Sequence, residues 1–231
     1  MKNYPEMLAK LSFFFFLSTA FCFFLMRYYI PPIAGAFDTL AAQFPENLKL
    51  WDLSLSDAIP LVIAMVLAWL AHGIRWHDRL SDWFRIRQRF DMYQIVIPTA
   101  LLVGANVDSA RYERIMASRD HLMRQIFYQF ASSGDGDERI VSNHTLREAL
   151  TTWSWYWVLL EAVSAFIPTA IILWLYGAYH AAFMLALGSI ISIILMQYYY
   201  GETSRYAKSQ VFDIVDDKQR SDQIRDRIEA L

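Results

Sequence analysis

Glu161 is the residue whose type and position are best suited to chemistry. It is the only charged residue in Trp153–Gly177, a stretch of 25 residues. A carboxylate at membrane depth is costly, so it usually faces another helix or a water-filled cavity and not lipid. Glu161 therefore predicts a partner helix, a polar interior or an ion path.

Polar residues on the same segment predict a seam along one helix face. Together with Trp157, these residues recur at a spacing of three or four positions, which places them on one side of a helix. The seam consists of Ser154, Glu161, Ser164 and Pro168. Three interpretations stay open: pairing with a neighbouring helix, lining the inner mouth of a pore, and a proton-coupled or catalytic role.

Small residues on two other apolar segments predict close helix packing, because they let helices approach each other in lipid. They are Ala64, Ala68 and Ala71 in segment 58–74, and Gly188 and Ser192 in segment 178–200. Asp57, at the outer end of the alanine face, is expected to cap its helix.

Other residue types that do chemistry are sparse. His72 and His77 are five residues apart, do not share a helix face well, and form no His-Glu-x-x-His pattern with Glu161. Cys22 is the only cysteine, and no phosphate-binding loop or nucleophile elbow occurs. We therefore predict no metal site, no cofactor and no catalytic residue, and expect a protein that is not an enzyme.

Composition indicates a membrane protein. The 231 residues are 56% hydrophobic, 16% aromatic and only 19% charged, which is too apolar for an ordinary soluble domain. The formal net charge of −2 leaves no global basic field, so no sequence-specific nucleic-acid binding is expected. The lipid bilayer is the first predicted partner.

Apolar segments predict an all-α membrane protein with four transmembrane helices. The spans lie at about 11–26, 58–74, 153–176 and 178–200. A span needs roughly 20 apolar residues, so the first two are short and the last two are long enough. The first segment also resembles a signal peptide, but no small-residue cleavage pattern follows Met26, which favours a retained anchor.

Positive charges orient these spans. Eleven arginines lie between spans two and three, six Lys or Arg residues follow Tyr200, and the 28–57 connection carries only Lys49. Cytoplasmic loops are enriched in Lys and Arg, so both termini are predicted to be cytoplasmic in a multi-pass protein of the inner (plasma) membrane.

This topology divides the chain into four regions. They are an N-terminal pair of spans (1–74), a mainly helical cytoplasmic domain (75–150), a C-terminal pair of spans (151–200) and a cytoplasmic tail helix (201–231). The external connection is expected to be a cap in which Pro31-Pro32 ends the first helix, with a re-entrant element at a pore mouth as the alternative. The apolar stripe of the tail is interrupted, which favours packing of the tail helix on the cytoplasmic domain or on another subunit over a coiled coil.

Arginines in the cytoplasmic domain fall into two groups. Arg85, Arg87 and Arg89 follow an aromatic pair after the second span, which predicts contact with anionic lipid headgroups or simple topology signalling. Arg111 and Arg114 lie largely off the apolar face of a helix that Asp108 is expected to cap and that runs to about residue 131. They predict a solvated surface or a contact for an anionic regulator.

Met92–Val107 is an uncharged stretch of 16 residues. As a fifth span it would move six arginines outside, against the charge rule. It is therefore interpreted as a buried strand or loop, or as a stretch against the membrane, with Tyr93–Pro98 favouring a strand. After a flexible acidic turn at 132–138, Ser142 or Asn143 is expected to cap a helix that continues into span three.

Three functions compete. Four helices rarely enclose a path alone, so a pore would form between subunits of a homo-oligomer. The cytoplasmic domain would gate it on binding a regulatory protein or a nucleotide-like ligand. The alternative is a non-conducting scaffold or adaptor that recruits a cytoplasmic partner; a membrane-embedded enzyme is third.

In size and layout the whole chain resembles the small multi-span membrane effectors of bacterial phage-defence systems. The features that carry this resemblance are few spans, a polar stripe on one of them, a cytoplasmic domain and a charged tail. The resemblance implies an inner-membrane effector that permeabilises the membrane when triggered and is otherwise held off by a partner protein or a nucleotide-like signal.

Overall fold

The structure, a computed structural model, describes residues 4–44, 54–131 and 140–231. Within these ranges it consists of helices and connecting turns, without strands. Four helices are long and apolar enough to cross a membrane: α1 (Tyr4–Tyr29), α3 (Leu55–Gly73), α10 (Asn143–Leu175) and α11 (Tyr179–Val215). The predicted all-α class with four candidate membrane spans is confirmed.

Shorter helices complete the chain. They are α2 (Pro31–Ala41), α4 (Trp76–Phe84), α5 (Ile86–Phe90), α6 (Ile97–Leu102), α7 (Ser109–Ala117), α8 (Arg119–Met123), α9 (Gln129–Ala131) and α12 (Lys218–Glu229). Two wider, π-helical segments, π1 (Asp91–Val96) and π2 (Arg124–Tyr128), interrupt this series. The predicted acidic turn at 132–138 lies outside the described residues.

Two of the candidate spans are longer than a bilayer requires. Helix α10 has 33 residues and α11 has 37, which corresponds to roughly 50 and 55 Å at 1.5 Å per residue. The hydrocarbon core is about 30 Å thick. Both helices therefore continue beyond the apolar segments predicted at 153–176 and 178–200. Gly177, at φ +79°, permits the tight reversal between them.

Helix ends follow local capping chemistry, with one correction. Pro31 and Pro32 occupy the first turn of α2, where a missing N–H costs nothing. Asp57 does not cap α3 as predicted. Ser54 does, because its hydroxyl accepts the Asp57 backbone N–H at 3.2 Å, while the Asp57 carboxylate pairs with Arg27.

The chain forms two compact units, and their boundaries fall within helices. Unit 1 comprises Met1–Met7, Asp78–Trp153 and Tyr199–Leu231; unit 2 comprises Leu8–His77 and Ser154–Tyr198. The predicted division at residues 74, 150 and 200 concerns membrane topology and remains a prediction.

Unit 1 has its own apolar core. Its deepest side chains, each at most 1% exposed, are Met92, Val96, Ala100, Ile115, Leu122, Met123, Ile126, Val211, Ile214, Ile224 and Ile228. The last two belong to α12, so the tail helix packs into this core. Asp217 starts α12 by accepting the Arg220 backbone N–H at 2.9 Å.

The strand predicted at Tyr93–Pro98 is wrong. These residues lie in π1 and α6, whose buried positions Met92, Val96 and Ala100 recur every four residues. Burial of a helical stripe outweighs the local β propensity, and Pro98 falls in the first turn of α6, where proline is tolerated. Neither segment is long enough to span a membrane.

The helix predicted from Asp108 to about residue 131 is correct at its start and interrupted later. Asp108 caps α7 by accepting the Arg111 backbone N–H at 2.7 Å. The helix breaks at Ser118, and π2 follows α8. Ser142 caps α10 through the Thr145 backbone N–H at 3.1 Å, as predicted.

Unit 2 exposes many large apolar side chains. Exposed examples on its long helices are Phe13, Met65, Trp69, Leu175, Phe183 and Ile194. Soluble proteins rarely show apolar surface this extensive. The surface matches a lipid-facing exterior, consistent with four membrane-spanning helices.

Candidate functional site

A small polar pocket lies inside unit 2. It is lined by Leu8, Leu11, Ser12 and Phe15 of α1, Ala68, Ala71 and His72 of α3, His77 of α4, and Glu161 of α10. It has room for about one water molecule. A polar pocket among apolar helices is where ions and protons are handled in membrane proteins.

Glu161 is the acidic group of this pocket. It is only 5% exposed, although its helix carries long apolar stretches on other faces. Ser12 of α1 and His72 of α3 share a hydrogen bond, with 3.2 Å between the Ser12 hydroxyl oxygen and His72 Nδ1. One carboxylate, two imidazoles and a hydroxyl thus border the same space.

Both histidines reach the pocket because α3 ends between them. The chain turns at Arg75, which has a φ of +53°, an uncommon value for a residue with a side chain. His72 and His77 therefore lie on different helices. On one continuous helix these two histidines would not share a face, and nothing in the sequence indicated that α3 ends at Gly73.

The pocket is not arranged as a metal site. No group of three or more His, Cys, Asp or Glu side chains within 4–44, 54–131 or 140–231 is close enough together to hold a metal ion. The carboxylate and imidazoles that border the pocket are groups that can exchange protons.

The predicted polar seam is only partly brought together. Ser154 is fully buried and accepts a hydrogen bond from Lys10 Nζ at 3.0 Å. Ser164 donates to the Glu161 backbone carbonyl at 2.7 Å and accepts from Trp76 Nε1 at 3.4 Å. Pro168, about two turns further along the same helix, is exposed.

Lys10 is a functional candidate that sequence reasoning missed. Its ammonium lies 3.5 Å from the centroid of the Trp155 ring, in addition to its bond with Ser154. Such a cation over an aromatic face is attractive, and more so when partly desolvated. The signal was a lysine nearly two turns into α1, next to the apolar segment that begins at about residue 11.

The predicted packing residues lie on α3 and α11. Ala64 and Ala68 are buried, and Ala71 lines the pocket. Ser192 is buried, and a Cβ added at Gly188 would stand 4.0 Å from Phe166 Cδ2, an ordinary contact.

A charged cluster joins three helix ends elsewhere in unit 2. Arg27 Nη1 of α1 lies 2.6 Å from Asp57 Oδ1 of α3, and Arg27 Nη2 lies 3.7 Å from Asp38 Oδ1 of α2. Arg27 also donates to Ser56 at 2.5 Å. This network fixes α2 against the start of α3.

The predicted arginine contacts lie in unit 1. Arg85, Arg87 and Arg89 are exposed, and Arg85 has a φ of +52° between α4 and α5. The adjacent aromatic rings of Trp83 and Phe84 stack at 6.2 Å and are 78% and 56% exposed. This combination of exposed aromatic and basic residues suits an interface of lipid and water.

Arg111 and Arg114 differ from each other. Arg114 is exposed, whereas Arg111 is half-buried and donates to the Asn106 backbone carbonyl. Arg111 therefore helps to shape the loop before α7. Arg114 lies at the surface, the position that the predicted contact with an anionic regulator needs.

A family model places the chain among known sequences. The model of the YmfE protein family matches residues 3–227, so the chain belongs to that family. No curated protein and no solved structure gives a significant match to the chain.

Proposed function

We propose that this member of the YmfE protein family is an ion-permeable, homo-oligomeric protein of the inner membrane. The observation that carries the proposal is the polar pocket of unit 2, where buried Glu161 borders the same space as His72 and His77. Carboxylates attract cations, and imidazoles exchange protons near neutral pH. Protons or small cations are therefore the proposed cargo.

The pocket of one chain is too small to be an open channel. It has room for about one water molecule. Conduction thus requires an opened state, and a subunit contact is the proposed place for it. The exposed apolar faces of α3 and α10 supply surface for such contacts as well as for lipid.

Unit 1 is the proposed gate. Helices α10 and α11 each contribute residues to both compact units. A ligand opens such a gate only if it binds the open state more tightly. The proposed trigger is a cytoplasmic regulatory protein or a nucleotide-like anion, with Arg114 as a contact.

The composition of unit 1 supports the proposed topology. Its segments Met1–Met7, Asp78–Trp153 and Tyr199–Leu231 are those that the charge distribution assigns to the cytoplasm. The external connection belongs to unit 2. The assembly of these three segments into one compact unit supports a common side of the membrane for all three. Arg85, Arg87 and Arg89 are its proposed contacts with anionic lipid.

An opened path of this kind would dissipate the membrane potential. That outcome fits an effector of the defence type, which is toxic only when triggered and is otherwise held closed. The proposed protein performs no covalent chemistry.

A non-conducting scaffold is the second candidate. One observation favours it: seam residues Ser154 and Ser164 are hydrogen-bonded within the chain, as in a purely structural contact. A scaffold would use unit 1 to recruit a cytoplasmic partner and would not depend on the charge of Glu161.

Ion flux through purified protein tests the proposal. Proteoliposomes containing the oligomer, with subunit number established by light scattering, are expected to dissipate imposed proton and K⁺ gradients faster than empty liposomes once the gate is opened by voltage or by an added nucleotide-like anion. A confirmed oligomer without flux at any imposed voltage and with any such anion would contradict the proposal and favour the scaffold.

A further inference from the structure

Unit 1 contains a buried carboxylate that the proposed ion path does not use. The side chain of Asp91 is 6% exposed, at the start of π1 beside fully buried Met92. Buried carboxylates are rare unless they are paired, since their charge is costly to remove from water. The charges beside Asp91 therefore decide whether its carboxylate is ionised.

The main partner, Arg119 of α8, is shared with a second carboxylate. Arg119 Nε lies 3.7 Å from Asp91 Oδ2. The same guanidinium donates to Asp120 Oδ1 from Nε at 3.1 Å and from Nη2 at 2.5 Å. Asp120 is 80% exposed, so the shorter bonds go to the solvated group. Arg119 thus compensates the charge of Asp91 only in part.

The elements packed around Asp91 carry both attracting and repelling groups. Helix α5 contributes the attracting Arg87, α8 contributes Arg119 and the repelling Asp120, and π2 contributes Tyr128, which bonds with Arg87. Helix α6, which also packs on π1, contains no ionisable residue.

Burial outweighs these attractions. It raises the pKa of Asp91 to about 6, against the lowering effects of Arg119 and Arg87. When the junction opens and water reaches Asp91, its pKa returns toward the ordinary value near 4. The closed junction therefore binds the proton more tightly than the open one, and acidification through pH 6 favours closure.

We propose that Asp91 and Arg119 form a proton-operated switch in unit 1. Protonation of Asp91 tightens the junction of α5, π1 and α8, and loss of that proton loosens it. Wide π-helical turns, such as π1 and the nearby π2, often mark places where a helix adapts for function. Only the link to gating rests on the proposed function: protons that enter through the proposed path would protonate Asp91 in unit 1.

Hydrogen exchange of the full chain in lipid nanodiscs tests the switch. Between pH 7.5 and 5.0, after correction for intrinsic rates, protection of peptides covering 86–96 and 119–128 is expected to rise about tenfold, with the rise beginning near pH 6. Asp91→Asn is expected to be protected already at pH 7.5 and to lose the pH dependence. The exposed control Glu113→Gln retains it.

A second variant separates a switch from simple packing. Arg119→Gln removes an attraction that favours the ionised carboxylate, so the pH at which protection begins to rise is expected to increase by about one unit. An unchanged onset in Arg119→Gln, or wild-type pH dependence in Asp91→Asn, overturns the proposal. Because neither readout is ion flux, the switch and the ion path fail independently.

Discussion

Lys10 Nζ of α1 lies 3.0 Å from the hydroxyl of Ser154 on α10, a contact between residues far apart in sequence. The same ammonium covers the Trp155 ring at 3.5 Å. These two interactions join the first and third candidate spans beside the polar pocket. Lys10 therefore holds α1 and α10 of unit 2 together.

Removal of the Lys10 charge is expected to destabilise unit 2. Lys10→Met keeps the apolar stem but loses the hydrogen bond and the cation–aromatic contact, at a cost of about 1–2 kcal/mol. Lys10→Arg retains a cation over Trp155 and should be closer to wild type. Thermal unfolding in detergent measures both. Equal melting temperatures for wild type and Lys10→Met would show that the contact contributes nothing.

The Arg27 network predicts an order among three variants. Arg27→Gln loses both ion pairs and should lower the melting temperature most, by an equivalent of about 1 kcal/mol, because these pairs are partly solvated. Asp57→Asn, which removes the 2.6 Å pair, should cost more than Asp38→Asn, which removes the 3.7 Å pair. The reverse order would mean that α2 is held mainly through Asp38.

Helix α12 is expected to be integral to unit 1. Ile228 is fully buried in the core of that unit, so Ile228→Ala should cost about 2–5 kcal/mol through lost burial and a residual cavity. Phe212→Ala is the control, because Phe212 is 58% exposed. Denaturant unfolding followed by far-UV circular dichroism separates them. A tail that merely rests on the surface would give similar small losses for both.

Apolar runs and capping residues were readable from the sequence because their signals are local. Four spans follow from hydropathy and length, and the caps at Asp108 and Ser142 follow from side chains that accept backbone N–H groups. The burial of the stripe through Ile115 and Leu122 follows from helical periodicity.

Other features depend on tertiary contacts that no local pattern records. The helical form of Tyr93–Pro98 arises because unit 1 buries Met92 and Val96, which outweighs strand propensity. His72 and His77 meet at one pocket only because the chain turns at Arg75. Glu161 lines that pocket too, and its neighbours there come from distant segments.

Proton flux through proteoliposomes containing Glu161→Gln tests the central claim most directly. The matched control is Glu148→Gln, which changes the same residue type on the same helix, outside the pocket. The account predicts that Glu161→Gln reduces flux to that of empty liposomes, while Glu148→Gln conducts as wild type and both variants elute as the same oligomer. Wild-type flux through Glu161→Gln would contradict it and leave Glu161 as a structural residue.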